Sequence, residues 1–287
     1  MPIGAHVSTA GGLSTSIDRA QALGAECMQV FLCAPQRWQH PRHTDEQVEA
    51  FARLVNETGI GPNFTHATYL INLASSDAML HDRSVDNLRA CRAWAERCGL
   101  SGVVVHVGSG RGQPVDEAER QVAAGLEQVL AGGGDTPILL ENSAGSGDTL
   151  GARFAQLGSL LDRLGRDRRL GVCLDTAHTF ASGYDLRLAQ GLDQALDELE
   201  QHVGLERLSL IHANDSHAGL GSAVDRHANI GEGELGDEAF QRMLAHPQLA
   251  NLAWVLEVPG ADKKGPDQAN VQALKRLAGR PSERLIC

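Results

Sequence analysis

Six apolar segments of this 287-residue chain each end in a residue of a type that commonly binds metal ions. In chain order these residues are His66, His106, Glu141, Asp175, His212 and Glu257. Successive members are 34 to 45 residues apart, close to the length of one strand–helix unit. Three imidazoles and three carboxylates brought together without a cation would be unfavourable, because like charges repel and each charge loses hydration. The spacing therefore predicts a shared divalent-metal centre.

Nitrogen and carboxylate ligands without thiolate suit zinc, with manganese or iron as alternatives, and six ligands exceed the four of one tetrahedral zinc site. His178 lies three residues beyond Asp175, and Asp225 and His227 lie in a long polar loop at 213–235. These three residues could bind a third ion, although a solvated loop explains the Asp225–His227 pair equally well. Several divalent ions close together can bind a phosphate and activate water, so the pattern favours phosphodiester hydrolysis.

Short apolar segments that alternate with helical patterns predict the elements that position these residues. The predicted strands are 3–7, 27–32, 62–65, 102–107, 137–141, 170–174, 208–212 and 253–258. The longest helix is predicted over 77–98, ahead of Gly99, with a buried stripe of Leu80, Leu88, Ala95 and Cys98; other helices are expected after Glu117, Ala152, Leu186, Asp237 and Asp267. Eight such units without a linker predict a single (β/α)8 TIM barrel of the α/β class over 1–287, whose strand ends meet on one face.

Composition limits the function classes. The formal net charge of −11 disfavours general binding to polyanions, so any nucleic-acid role needs a local site. We find no apolar segment long enough to span a membrane and no signal-peptide pattern, and the six cysteines form no CxxC pair. We therefore expect a cytoplasmic monomer without a membrane partner, with reduced and mostly buried thiols. His6 also ends an apolar segment, and we interpret it as structural or as a support for a ligand.

Longer motifs resemble those of the endonuclease IV family, zinc-dependent apurinic/apyrimidinic endonucleases of DNA repair that are built on a TIM barrel. The resemblance runs along the whole chain, in the segments 4–13, 66–73, 141–145, 171–185, 212–215 and 221–233. The combination of 212–215 with 221–233 is the most specific. The chain departs from the family pattern at Val107, where a proline is expected, and at Gln36-Arg37-Trp38, which is one residue shorter.

The resemblance implies a trinuclear zinc site, with manganese acceptable at some positions. The three implied ligand sets are His66, His106 and a bridging Glu141; Glu141, Asp175, His212 and Glu257; and His178, Asp225 and His227. The implied reaction is attack by a metal-bound hydroxide on the phosphodiester 5′ to an abasic site in duplex DNA, which leaves a 3′-hydroxyl and a 5′-deoxyribose phosphate. Removal of 3′-blocking groups is expected at the same site. Glu257, which would orient the nucleophile, and Glu141 are the predicted catalytic residues.

The family inserts side chains into DNA at the lesion, and the matching candidates here are Arg37, Tyr69 and Leu70. Core packing explains Tyr69 and Leu70 equally well, and Trp38 is interpreted as packing. Arg111, Lys263 and Lys264 are further candidates for phosphate contact, although such charges usually lie on a solvated face.

Two other functions stay open at this point. A sugar isomerase or epimerase on the same barrel would also place His, Asp and Glu at strand ends, but it predicts fewer ions. A lesion-binding protein that has lost cleavage would fit the acidic net charge and the altered Arg37 segment.

Overall fold

A computed structural model describes residues 1–280, in which eight parallel strands close into a barrel. The barrel strands are β1 (Ile3–His6), β2 (Met28–Val30), β3 (Asn63–His66), β4 (Gly102–Val105), β5 (Ile138–Glu141), β6 (Leu170–Asp175), β7 (Leu208–His212) and β10 (Ala253–Leu256). Two short strands, β8 (Asp215–Ser216) and β9 (His227–Ala228), pair antiparallel between β7 and the next helix. Around the barrel, β1 is followed by β10, β7, β6, β5, β4, β3 and β2. The predicted TIM barrel is confirmed.

Helices follow the strands around the barrel. They are α1 (Thr15–Leu23), α2 (Asp45–Thr58), α3 (Ala78–Arg97), α4 (Val115–Leu130), α5 (Phe154–Arg163), α6 (Thr176–Ala181), α7 (Ala189–His202), α8 (Gly236–Ala245) and α9 (Gln268–Leu277). All eight predicted strands are present, with ends that differ by no more than two residues. Helices α4 and α8 begin slightly earlier than predicted, and α4 does so because Pro114, with its fixed φ, already occupies the N-cap.

Helix α3 follows its predicted bounds closely. Asp77 caps its N-terminus by accepting a hydrogen bond from the Met79 backbone N–H at 2.9 Å, and Gly99 follows its end with a φ of 65°. The predicted stripe was wrong at Leu80, which is only partly buried because it lies in the first turn, near the helix end. Val85 and Cys91 take part in the buried face instead.

The core has two layers. A small cluster fills the barrel interior and consists of Cys27, Phe64, Val104, Leu139, Cys173, Leu210, Ala253 and Val255. A much larger cluster lies between the strands and the helices. Gly4 on β1 permits the close approach of β2, because a Cβ atom there would lie 1.8 Å from the carbonyl oxygen of Cys27.

Five of the six cysteines lie within the described residues. Cys27, Cys91, Cys98 and Cys173 are free and buried, and Cys33 is free and partly buried, as expected; Cys287 lies outside the described residues. Within residues 1–280, none of the helices has the length and apolar character needed to cross a membrane.

Candidate functional site

The six strand-end residues meet at the C-terminal mouth of the barrel. Strand pairing brings them there: Asp175 is the register partner of His212 across β6 and β7, and His212 also pairs with Val255, two residues before Glu257. The carboxyl ends of all strands in a parallel barrel lie on one face, so ligands that are distant in sequence become neighbours. Glu141, Asp175 and His212 are buried there.

Glu141 lies between two groups of side chains. Its Oε2 atom lies 3.0 Å from His66 Nε2 and 3.3 Å from His106 Nε2. Its Oε1 atom lies 3.0 Å from His212 Nδ1, on the side of Asp175 and Glu257. One carboxylate thus presents one oxygen to each group, which is the arrangement that a bridging ligand requires.

A third group forms beside Asp175. Asp175 caps α6 by accepting a hydrogen bond from the His178 backbone N–H at 2.8 Å, which keeps these two residues together. Asp225 Oδ1 lies 3.2 Å from His178 Nε2 and 3.3 Å from His227 Nε2. Both Nε2 atoms are buried yet make no hydrogen bond of good geometry, as expected for atoms directed at a shared ion. The Asp225–His227 pair therefore faces the cluster.

The remaining ring nitrogens have hydrogen-bond partners of their own. His66 Nδ1 donates to the carbonyl oxygen of Ala67 at 2.7 Å, and His178 Nδ1 donates to that of Asn142 at 3.0 Å. A carbonyl oxygen can only accept, so in the neutral ring the opposite nitrogen, Nε2, carries the lone pair. Metal-binding histidines are commonly oriented in this way.

The electrostatics of the cluster require positive charge. Burial alone would raise the pKa of Glu141, but the imidazoles of His106, His212 and His66 outweigh it and hold this pKa well below its ordinary value. Burial alone would lower the pKa of His178, but the carboxylates, Asp175 first, raise it to about 10. The Glu141 carboxylate is thus ionised at neutral pH, and either protons on the imidazoles or divalent cations must balance it. The donor set of nitrogen and carboxylate oxygen fits zinc or manganese.

The loop that carries Asp225 and His227 is held by the buried carboxylate of Asp215. This carboxylate accepts hydrogen bonds from the backbone N–H groups of Ser216, Gly231, Gly233, Leu235 and Gly236, at 2.8 to 3.2 Å. A side chain at Gly233 would collide with it, since a Cβ atom there would lie 2.4 Å from Asp215 Oδ1. The loop is therefore built around one carboxylate.

Three buried amides support the centre, and the sequence reasoning assigned them no role. Asn214 Nδ2 donates to Asp175 Oδ2 at 2.6 Å, and its Oδ1 accepts from the Glu257 backbone N–H at 2.8 Å. Asn142 Oδ1 accepts from the Asp175 backbone N–H at 2.7 Å. The third amide is Gln29 on β2. Amides do not stand out as metal ligands in a sequence, and the available signal for Asn142 and Asn214 was their position one and two residues after a predicted ligand.

The predicted DNA-contact residues lie in the loops above this face. Tyr69 is 57% exposed, with its ring 5.6 Å from that of His66, so core packing does not explain it. Arg37 is exposed and Leu70 partly buried. Tyr69 lines a cavity of about 600 Å³ together with His6, Glu257 and Lys264. Trp38 packs against the core as expected.

Comparison with known proteins agrees with this geometry. Residues 17–278 match the family model of the xylose isomerase-like TIM barrel. The "Probable endonuclease 4" of Oleidesulfovibrio alaskensis is 42% identical over 278 residues, which cover 96% of this chain and 95% of that protein. The protein of the same name from Methanoculleus marisnigri is 36% identical over 282 residues, covering 96% and 99%.

Solved structures indicate the same family. Endonuclease IV from Thermus thermophilus superimposes with a TM-score of 0.85 at 36% identity, covering 97% of this chain and 99% of that one. A D-tagatose 3-epimerase-like protein, with a TM-score of 0.70 and 17% identity, shares the fold alone. The present chain therefore belongs to the endonuclease IV family.

Proposed function

We propose that this protein is a DNA repair endonuclease that hydrolyses the phosphodiester 5′ to abasic sites in duplex DNA and also removes 3′-blocking groups. The products would be a 3′-hydroxyl and a 5′-deoxyribose phosphate. The observation that carries this proposal is the third group of His178, Asp225 and His227 next to the two strand-end groups. A site with three groups of ligands suits a phosphate, whose charge needs several cations.

The neighbours of each carboxylate support three ligand sets. His66, His106 and Glu141 would hold one ion, Glu141, Asp175, His212 and Glu257 a second, and His178, Asp225 and His227 a third. Bound divalent ions, zinc or in some positions manganese, would supply positive charge to the phosphate oxygens and bring the pKa of water towards neutrality.

The side chains of this protein would then divide the remaining work. Glu257 borders the cavity with a partly exposed carboxylate, so it can orient the attacking water and accept its proton. Glu141 would keep the two strand-end groups at a fixed separation. Tyr69 exposes its ring above the cavity for contact with a displaced nucleotide, and Lys264 on the cavity wall would bind a phosphate. Arg37 and Leu70 stay candidates for insertion into DNA.

The proposal is tested by metal analysis together with cleavage of a duplex that carries one synthetic abasic site. We expect about three ions per chain, incision 5′ to the lesion, and loss of incision after chelation that zinc restores. A duplex with an intact base at the same position is the control. Absence of incision by the zinc-loaded protein would reject the proposal.

Two other outcomes identify the competing functions. The shared barrel fold makes a sugar epimerase the second candidate, and it predicts one or two ions and interconversion of ketose sugars without incision. Three ions with tight lesion binding but no turnover would indicate a lesion-binding protein.

The proposed partner is duplex DNA. The protein would be a cytoplasmic monomer of one domain spanning 1–287, and it would associate with the nucleoid by binding DNA. Because the net charge is −11, affinity must come from a local cationic site around the metals. Lesion binding should therefore weaken as salt rises, and a flat response would argue against duplex DNA as the substrate.

A further inference from the structure

The barrel interior and the metal centre follow one alternating pattern. The interior residues Cys27, Phe64, Val104, Leu139, Cys173, Leu210 and Val255 are each followed, two positions later, by Gln29, His66, His106, Glu141, Asp175, His212 and Glu257. Residues two apart on a strand share a face, so all seven polar residues belong to one layer above the core. Six of them are proposed metal ligands. Gln29 is the seventh, and its side chain is an amide.

Gln29 is fully buried and makes contacts in two directions. Its Nε2 atom donates to Glu257 Oε1 at 2.7 Å and lies 3.0 Å from His6 Nδ1. Its Oε1 atom lies 2.9 Å from His212 Nε2. The amide nitrogen can only donate, and a Glu257 oxygen accepts this hydrogen bond, so the amide oxygen faces His212.

This orientation of the Gln29 amide determines which nitrogen of the His212 ring carries the proton. An amide oxygen can only accept, so His212 Nε2 carries a proton. The Nδ1 atom is then the ligating nitrogen, and it points at Glu141 Oε1 at 3.0 Å and Glu257 Oε2 at 3.2 Å. The same amide holds Glu257 by one oxygen, Oε1, and leaves Oε2 towards the centre.

We infer that Gln29 is a positioning residue that fixes the tautomer of His212 and the orientation of Glu257 for the second ion. The inference rests on the proposed metal centre. Its physical basis is that a ring free to turn, or to carry its proton on Nδ1, would direct an N–H group at the cation. Loss of such an outer contact typically weakens metal affinity about 10- to 100-fold.

The test compares Gln29→Met, which keeps the length of the side chain and removes both hydrogen bonds, with Gln113→Met. Gln113 donates to the carbonyl oxygens of Ala74 and Gly110 and contacts no proposed ligand, so its variant is a matched control. Zinc retained by each protein is measured against a series of competing chelator concentrations. We expect one ion of Gln29→Met to bind about 10- to 100-fold more weakly, and Gln113→Met to match the wild type. Equal retention by all three proteins would overturn the inference.

A spectroscopic measurement does not depend on the folding of a variant. In the zinc-loaded wild type, ¹⁵N-labelled histidine should show His212 bound through Nδ1 with a proton on Nε2, identified by its absence from His212→Gln. Binding through Nε2 would overturn the role of Gln29. Failure of the proposed function is distinguishable, because it would appear in the wild type as missing ions or missing incision.

Discussion

The strand-borne ligands and the loop-borne ligands of this centre are held by different forces. Glu141, Asp175 and His212 lie fully buried at the ends of β5, β6 and β7, where sheet pairing and the apolar interior fix them. Asp225 and His227 belong to the 213–235 loop, and the Asp225 side chain is 55% exposed. Both sets converge on one centre, but only the first is continuous with the barrel core.

The difference concerns stability as well as position. The strand ends can move only if the sheet opens, which requires global unfolding, whereas a loop can open locally at much smaller free energy. The loop compensates with polar anchoring, because the Asp215 carboxylate accepts five backbone hydrogen bonds. We therefore expect substitutions at strand-borne ligands to abolish function and substitutions in the loop to weaken it by degrees.

The largest effect is expected for Glu141→Gln. This change removes the only carboxylate that faces both strand-end groups in the described structure, so both ions should be weakened at once. Losing several kcal/mol of charge stabilisation in the transition state corresponds to a fall in incision rate of about 10⁴-fold. Elemental analysis and single-turnover cleavage measure the two effects. Glu119→Gln is the control, since Glu119 is a buried carboxylate on α4 that bonds Ser159 and Arg163, away from the mouth. Full zinc content in Glu141→Gln would contradict a bridging role.

Glu257→Gln should separate chemistry from binding. The amide keeps the size of the side chain but cannot accept a proton, so incision should fall by about 10³-fold. Lesion binding should persist, because Glu141, Asp175 and His212 would still hold the second ion and the rest of the cavity wall is unchanged. Cleavage rates and gel-shift affinities on the same abasic duplex provide the measurement. Unchanged turnover would remove Glu257 from the mechanism.

The same division explains what could be predicted from the sequence. Strand-end residues are marked by an apolar segment that stops at a charged residue, so the barrel and the convergence of His66, Glu141 or Asp175 follow from local pattern. The exact strand ends do not follow from local pattern, because they depend on strand pairing. Strand β10 stops at Leu256, after which the Glu257 backbone N–H donates to Asn214 Oδ1 instead of to a strand. The bonds of Asp215 to residues 231–236 depend on the loop conformation, which no periodicity records.

Asp225→Asn tests the loop side of the comparison with a smaller expected effect. Only the third ion loses a ligand, so incision should fall by about 10²-fold while two ions stay bound. In the wild type, graded chelation should likewise remove one ion before the other two. Asp262→Asn, which removes another exposed loop carboxylate, should keep all three ions. Simultaneous loss of all ions on mild chelation would mean that the loop and the strand ends form one cooperative site.

The smallest effect is expected for Asp215→Asn, because Asp215 contacts no proposed ligand side chain. An amide can accept fewer of the five hydrogen bonds, so the loop should open more often and the third ion should bind about tenfold more weakly. Limited proteolysis within 217–235 and zinc retention measure these changes. Asp77→Asn is the matched control, because Asp77 accepts backbone hydrogen bonds from Met79 and Leu80 at the start of α3, outside this loop. If both variants lost zinc equally, general destabilisation would explain the result, and the loop-borne ligands would need no anchor of their own.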